Sequence, residues 1–226
     1  MLADLVDGLG GRDDVRIAEL RTSHRFGASI GQLAQAIRDC DADGVLGLLA
    51  AGGPHIEFVD TAQPTAALRD LLVANAMRIR AAAAAGDPAA ALAHLDRHRL
   101  LCAHRDGPYG QHRWAELAVE WIAARTGRRL DAAEFYPGQP ILVTANDHPA
   151  GVFNGDIGVI VADGDTVTAA IDRGREPLRV NPYILTGLQT AYASTVHRAQ
   201  GSQYRSVTVV LPEQDSPLLT RQLLYT

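Results

Sequence analysis

Apolar positions in the first half of the chain recur at two spacings. From Ala28 to Arg38, Ile30, Leu33, Ala34 and Ile37 fall three or four residues apart, which places them on one face of a helix. Trp114, Leu117, Ala118, Trp121 and Ile122 repeat that spacing and predict an amphipathic helix closed near Gly127. Thr65 is placed to cap a third helix running to about Ala85; Gly86-Asp87-Pro88 stops it, and a new helix follows. Val15–Leu20, Ile56–Val59 and Arg99–Ala103 are apolar runs of strand length. Gly44 and its surroundings and Gly52-Gly53-Pro54 break the pattern. Strands alternating with helices predict a parallel sheet with helices on both faces.

Near Tyr136 the texture changes. Ile141–Thr144, Asp156–Val161, Thr166–Ile171 and Pro177–Val180 read as short strands. Asn154-Gly155-Asp156, Asp163-Gly164-Asp165 and Arg173-Gly174-Arg175 supply the turns between them. Several short strands within roughly 50 residues predict a small barrel or meander. Beyond Pro182 the alternation returns. Ala191–Thr195 ends a strand, Val207–Leu211 is a β-branched strand, and Ser216-Pro217 is placed to begin a helix. The expected organisation is an α/β part over 1–136, an inserted barrel over 137–186, and the rest of the α/β part over 187–226.

Composition narrows the chemistry. The chain has 226 residues, 47% hydrophobic and 21% charged, as expected of one large or two small globular domains. No window approaches the roughly 20 apolar residues of a membrane span. The opening MLADLVDGLGGRDD has neither a basic region nor an apolar core, so it does not read as a signal peptide. Two cysteines cannot build a disulfide framework, so a cytoplasmic location is expected. The net charge of −5 is spread evenly and argues against a dedicated basic nucleic-acid module, while leaving room for a local groove. All 21 cationic residues in the Lys+Arg count are arginine. Without a lysine the chain cannot complete a P-loop or perform lysine-base chemistry.

Thr195-Val-His-Arg-Ala-Gln-Gly-Ser-Gln-Tyr204 is the most distinctive run. Gly201 and Ser202 allow backbone N–H groups to approach a phosphate; Thr195 and His197 can donate to its oxygens, and Arg198 adds charge. A plain polar turn would use the same residue types. His94, His98, Cys102 and His104 include one pair at helix-face spacing, but Cys102 falls in a strand pattern and no paired C-x-x-C exists, so no metal site is expected. Trp114 and Trp121 suit core packing better than base stacking.

The Thr195–Gln203 segment resembles motif V of superfamily-1 helicases, in the RecD-like form close to T-V-H-K-S-Q-G-S-E. Further stretches agree in order and spacing. Gly138–Asp147 with Phe153–Gly158 resembles the family's G-x-P-v-x-v-x-x-N-D…F-N-G-D-x-G stretch. Leu20–Phe26 resembles motif IV, and Leu211-Pro212 with Leu218–Thr226 the approach to motif VI. Together they cover about the whole chain.

The resemblance implies the second RecA-like motor domain of a 5′→3′ DNA helicase, interrupted by a small SH3-like β-barrel. It implies ATP and Mg2+ as cofactors of the full-length protein, with none bound by this piece alone. The family's Walker A and B motifs lie upstream of Met1 and its arginine finger beyond Thr226, so the piece by itself is expected to lack ATPase and unwinding activity. DNA-stimulated ATP hydrolysis by the pure chain would overturn this. Implied partners are single-stranded DNA, the N-terminal motor domain and, in an exodeoxyribonuclease V (RecBCD-like) complex for double-strand-break repair and recombination, RecB- and RecC-like subunits.

By position, Arg25 matches the motif IV arginine that reaches nucleotide phosphates. Gly201 and Gln203 fall at nucleotide-contacting positions, with Gln203 standing where the family has Glu. Thr195, His197, Arg198, Gln200 and Ser202 match the strand-contacting motif, with Arg198 in place of Lys. Asn146 and Asn154 are candidates for positioning the strand, although their types also suit turns requiring φ > 0. The rival function is a non-catalytic DNA- or protein-binding module built on the same domain and barrel.

Overall fold

The computed structural model describes residues 8–9, 12, 14, 27–61, 63–127, 134–213 and 216–225. The predicted Val15–Leu20 strand and the motif IV stretch lie outside the described residues. The chain divides into two compact units, one ending at Phe58 and the other covering 59–224.

Between residues 27 and 58 the first unit holds two helices, α1 (Ala28–Arg38) and α2 (Ala42–Ala51). The predicted α1 has these bounds. Sequence pattern missed α2 because its two glycines read as breakers. The Asp41 carboxylate accepts a bond from the Gly44 N–H at 2.9 Å and starts the helix regardless. A Cβ at Gly44 would lie 2.2 Å from that carboxylate, so this glycine is part of the cap. Ile56–Val59 is not a strand: Ile56 forms one isolated bridge with Gly53, and Phe58 and Val59 are exposed.

The second unit holds two sheets served by one long helix. In chain order it runs α3 (Pro64–Ala84), α4 (Pro88–Leu95), β1 (Arg99–Cys102), α5 (Gln111–Thr126), β2 (Pro140–Val143), β3 (Ile157–Asp163), β4 (Thr166–Ile171) and β5 (Leu178–Val180). A 3-10 turn at Pro182–Ile184 follows, then β6 (Leu188–Thr190), β7 (Ala193–Thr195), α6 (Val196–Ala199), β8 (Val207–Val210) and α7 (Arg221–Tyr225). Strands β7, β1 and β8, in that order, form a parallel sheet. The others form an antiparallel sheet in the order β5-β4-β3-β2-β6.

Alternation of side chains along β1 sends Leu100 and Cys102 to one face and Leu101 to the other. The first face packs on Leu72 of α3 and on Trp114 and Leu117 of α5. The second, joined by Ala103, packs on Val196 of α6 and Leu223 of α7. Strand β1, at the centre of the parallel sheet, is therefore covered by helices on both faces, as its continuous apolar run requires, while the edge strand β8 leaves Val207 and Val209 exposed. Ser216-Pro217 does not begin a helix; α7 starts at Arg221, because Ser216 and Leu219 form a turn first.

Strand β3 reads Ile-Gly-Val-Ile-Val-Ala with no polar alternation, because it too is buried on both faces. Val159 and Val161 meet Ile79 and Ala83 of α3 and Leu92 and Leu95 of α4. Ile160 instead joins Ile141, Val143, Ala169, Ile171 and Val180 in a separate core. Helix α3 thus spends its N-terminal half on the parallel sheet and its C-terminal half on the antiparallel one. Strand β6 pairs with β2 through Ile141 and Thr190, beyond residue 186; its three half-buried residues carry no legible pattern.

Candidate nucleic-acid interface

In open α/β sheets ligands gather at the carboxyl ends of the strands, where loops replace regular pairing. Here those loops are His104–Gly110 after β1, Thr195–Tyr204 after β7 and the segment following Val210. His104 Nε2 and Ser216 Oγ, 2.8 Å apart, join the first loop to the third.

Thr195 ends β7 and caps α6, its hydroxyl oxygen accepting from the Arg198 N–H at 3.4 Å. Val196 turns into the core and anchors the four-residue helix. With the apolar side chain taken inward, His197, Arg198, Gln200, Ser202 and Gln203 are left exposed. The Ser202 N–H donates to the Ala199 carbonyl at 3.0 Å and bends the chain out of the helix. Gly201 follows the bend at φ +86°, which favours glycine, and nothing lies within 4 Å of where its Cβ would be. The backbone there is open to close approach by a ligand.

A buried arginine brackets this segment. Arg99, the first residue of β1, is 3% exposed. Its Nη1 donates to the Ala191 carbonyl at 3.5 Å, just before β7, and its guanidinium lies 5.0 Å from the centre of the Tyr204 ring. Burial lowers its pKa, against the pull of Tyr204 and Asp96. Beneath it, His98 is bonded to Thr208 Oγ1 at 2.8 Å, and burial followed by the charge of Arg99 lowers its pKa. The Cys102 thiol on the same strand is pushed up to about 12 by burial and stays protonated, so it is part of the core.

Sequence reasoning missed a hydrogen-bonded chain beside this segment. Arg198 Nη1 donates to Gln189 Oε1 at 3.1 Å, and Gln189 Nε2 lies 3.4 Å from His112 Nε2. Arg105 Nε donates to the same His112 nitrogen at 3.5 Å, and His112 Nδ1 faces Asp106 Oδ1 at 2.8 Å. The available signal was His104-Arg105 directly after an apolar strand, followed by a turn with Gly107 and Gly110. Gly107 has φ +92°, and a Cβ on Gly110 would sit 2.4 Å from the Asp106 carbonyl oxygen.

Asn146 and Asn154 lie elsewhere, in the β2–β3 connection. Asn146 Oδ1 accepts from the Asn154 N–H at 2.8 Å, and Asp156 accepts from the Phe153 N–H at 2.7 Å while meeting Arg173. Burial raises the Asp156 pKa, but bonds from Arg173 and Phe153 outweigh it and hold the carboxyl below its ordinary value. Among the described residues no hydrogen bond joins Asn146 or Asn154 to the Thr195–Gln203 segment. Arg25 lies outside the described residues.

The donor set bears on which group can bind. Gln203 offers an amide to a hydroxyl, and the Gly201–Ser202 backbone lies beside it. These groups suit one edge of a nucleotide. With no lysine in the chain, they do not suit a complete Mg2+-triphosphate site.

Over all 226 residues the chain is 51% identical to the RecBCD enzyme subunit RecD of Mycobacterium tuberculosis, and covers 39% of that protein. It is 35% identical, over 57% of its length and 18% of the relative's, to the ATP-dependent RecD2 DNA helicase of Deinococcus radiodurans. Residues 190–226 match the UvrD-like helicase C-terminal domain. A crystal structure of Pif1 helicase from Bacteroides in complex with ADP-AlF3 and ssDNA is 17% identical, with a TM-score of 0.47 over 99% of this chain and 53% of that one. The chain spans about two fifths of the length of the RecD subunit it matches.

Proposed function

We propose, from the premise that this chain matches the C-terminal part of RecD-like helicases along its whole length, that it is the second motor domain of a 5′→3′ DNA helicase acting in double-strand-break repair. The observation that carries this reading is the open loop from Thr195 to Gln203. It sits at the carboxyl end of the parallel sheet with His197, Arg198, Gln200, Ser202 and Gln203 outward and Val196 and Ala199 against the core.

In this reading His197, Arg198, Gln200 and Ser202 bind the phosphate backbone of single-stranded DNA, and Thr195 holds the turn that presents them. Gly201 and Gln203 form one edge of the nucleotide site. ATP with Mg2+, bound chiefly by residues of the other motor domain, supplies the energy of translocation. Because β7 runs directly into the loop, a shift at the nucleotide edge moves the strand-binding groups with it. RecB- and RecC-like subunits are the partners this reading implies, in the cytoplasm. No helix among the described residues is long and apolar enough to cross a membrane.

The antiparallel sheet is read as an SH3-like barrel. The return of the last strand, β6, to the first, β2, after a 3-10 turn supports it.

A fluorescein-labelled oligo-dT titration tests the proposal. The 226-residue chain is expected to bind with affinity that falls as salt rises. Thr195→Ala with His197→Ala is expected to weaken binding about tenfold, in line with the loss of one or two charge-assisted bonds. Unchanged binding by the double variant would remove the strand track and favour the non-catalytic module.

A further inference from the structure

The geometry points to a second phosphate-binding position beside the Thr195–Gln203 loop, formed by Arg105 and His112 with Arg198 and fitting the phosphodiester backbone of single-stranded nucleic acid. This position rests on the reading of that face as a strand track.

Three separate elements converge here: the loop after β1, the first turn of α5, and α6. Gln189 of the antiparallel sheet lies at their centre, bonded to Arg198 at 3.1 Å and within 3.4 Å of His112. The bonds fix the histidine's roles. Arg105 Nε donates to Nε2, so Nε2 accepts, and Nδ1–H donates to Asp106. Arg105 therefore spends its Nε on the histidine. Among the described residues no hydrogen bond or ion pair is formed by its two Nη groups or by Nη2 of Arg198. Those donors are exposed on a chain of net charge −5, and Asp106 is the carboxylate bonded into the cluster.

The loop holds Arg105 in place rather than leaving it to wander. Its carbonyl accepts from the His112 N–H at 3.1 Å, the His104 carbonyl accepts from the Gln111 N–H at 3.0 Å, and Gly107 accepts from Gly110 at 3.0 Å. Two guanidinium groups are thus presented by the two ends of one hydrogen-bonded relay, each with N–H groups left for phosphate oxygens. An arginine fork matches a phosphate in two-point geometry, and a phosphodiester chain presents such groups in series.

The test is oligo-dT binding by the 226-residue chain across a salt series. Arg105→Gln is expected to weaken binding three- to tenfold and to lower the slope of log K against log salt by about 0.7, the signature of one lost phosphate contact on a single strand. Arg105→Lys is expected to restore the slope, and Asp106→Asn to tighten binding about twofold by removing the opposing charge. Thermal melting should be unchanged in all three, because Arg105 and Asp106 are exposed. Wild-type affinity and slope in Arg105→Gln, with weakened binding in the Thr195 and His197 double variant, would overturn this position and leave the strand track standing. Absence of oligo-dT binding by the wild-type chain would overturn both.

Discussion

Replacing Trp114 with alanine is expected to destabilise the second unit by about 3–5 kcal/mol, the range for removing a large aromatic from a packed core. The indole is 1% exposed and lies in one buried cluster with Leu100 and Cys102 of β1, Ala193 of β7 and Val210 of β8, a core to which all three parallel strands contribute. Trp121, one of its neighbours on α5, meets it edge-on with ring centres 6.3 Å apart, so the substitution also removes this ring contact. Natural domains have only about 5–15 kcal/mol of stability in total, so the loss is a large share. Trp114→Phe should cost much less. Among the described residues the buried indole N–H has no hydrogen-bond partner, so phenylalanine removes an unmet donor along with some packing area. Urea unfolding followed by circular dichroism measures both. An alanine cost below that of phenylalanine would show that the indole does not hold the three strands together.

That core was legible beforehand because Trp114, Leu117, Ala118 and Ile122 keep helical spacing in a single sixteen-residue element. Strand β1 was legible for a similar reason: it is a short apolar run, and burial on both faces tolerates no alternation; β8 was legible from its β-branched residues, although Val207 and Val209 stay exposed at the sheet edge. Where local chemistry competes with pattern, the reading failed. Asp41 starts a helix across Gly44, which as a residue type signals a break. Ile56–Val59 has strand composition, but among the described residues it finds no partner strand, and Phe58 and Val59 are exposed.

The candidate interface divides along the same line. The Thr195–Gln203 segment could be found because its residues are contiguous and its chemistry is local. Arg105 and His112 could not be joined to Gln189, because His112 and Gln189 lie 77 residues apart and meet only through the fold. Arg99 was hidden for the same reason. The run Arg99–Ala103 reads as a buried strand, but its arginine's partners, the Ala191 carbonyl and the Tyr204 ring, are distant in sequence.

Gly138→Ala is expected to cost about 3–4 kcal/mol, although it adds a single methyl group. Two penalties combine. Gly138 has φ +89°, a conformation costing an L-residue about 1–2 kcal/mol. Its new Cβ would also lie 2.5 Å from Arg80 Cα and 2.8 Å from Arg80 Cβ, and overpacking of a closed core adds about 1–3 kcal/mol. The obstacle is the main chain of α3, which cannot rotate aside. Nor can Gly138 retreat, since its N–H donates to the Ile160 carbonyl at 2.8 Å and the neighbouring Gln139 amide bonds Thr190 at 2.9 Å. Displacing α3 would disturb both sheets, because Leu72 packs with the parallel one while Ile79 and Ala83 pack with the antiparallel one. Gly164→Ala separates the two penalties. That glycine has φ +61° but nothing within 4 Å of its would-be Cβ, so only the conformational cost of about 1–2 kcal/mol applies. Equal unfolding free energies for the two variants would show that the helix yields, and that the close approach of Arg80 to Gly138 does not hold α3 against the antiparallel sheet.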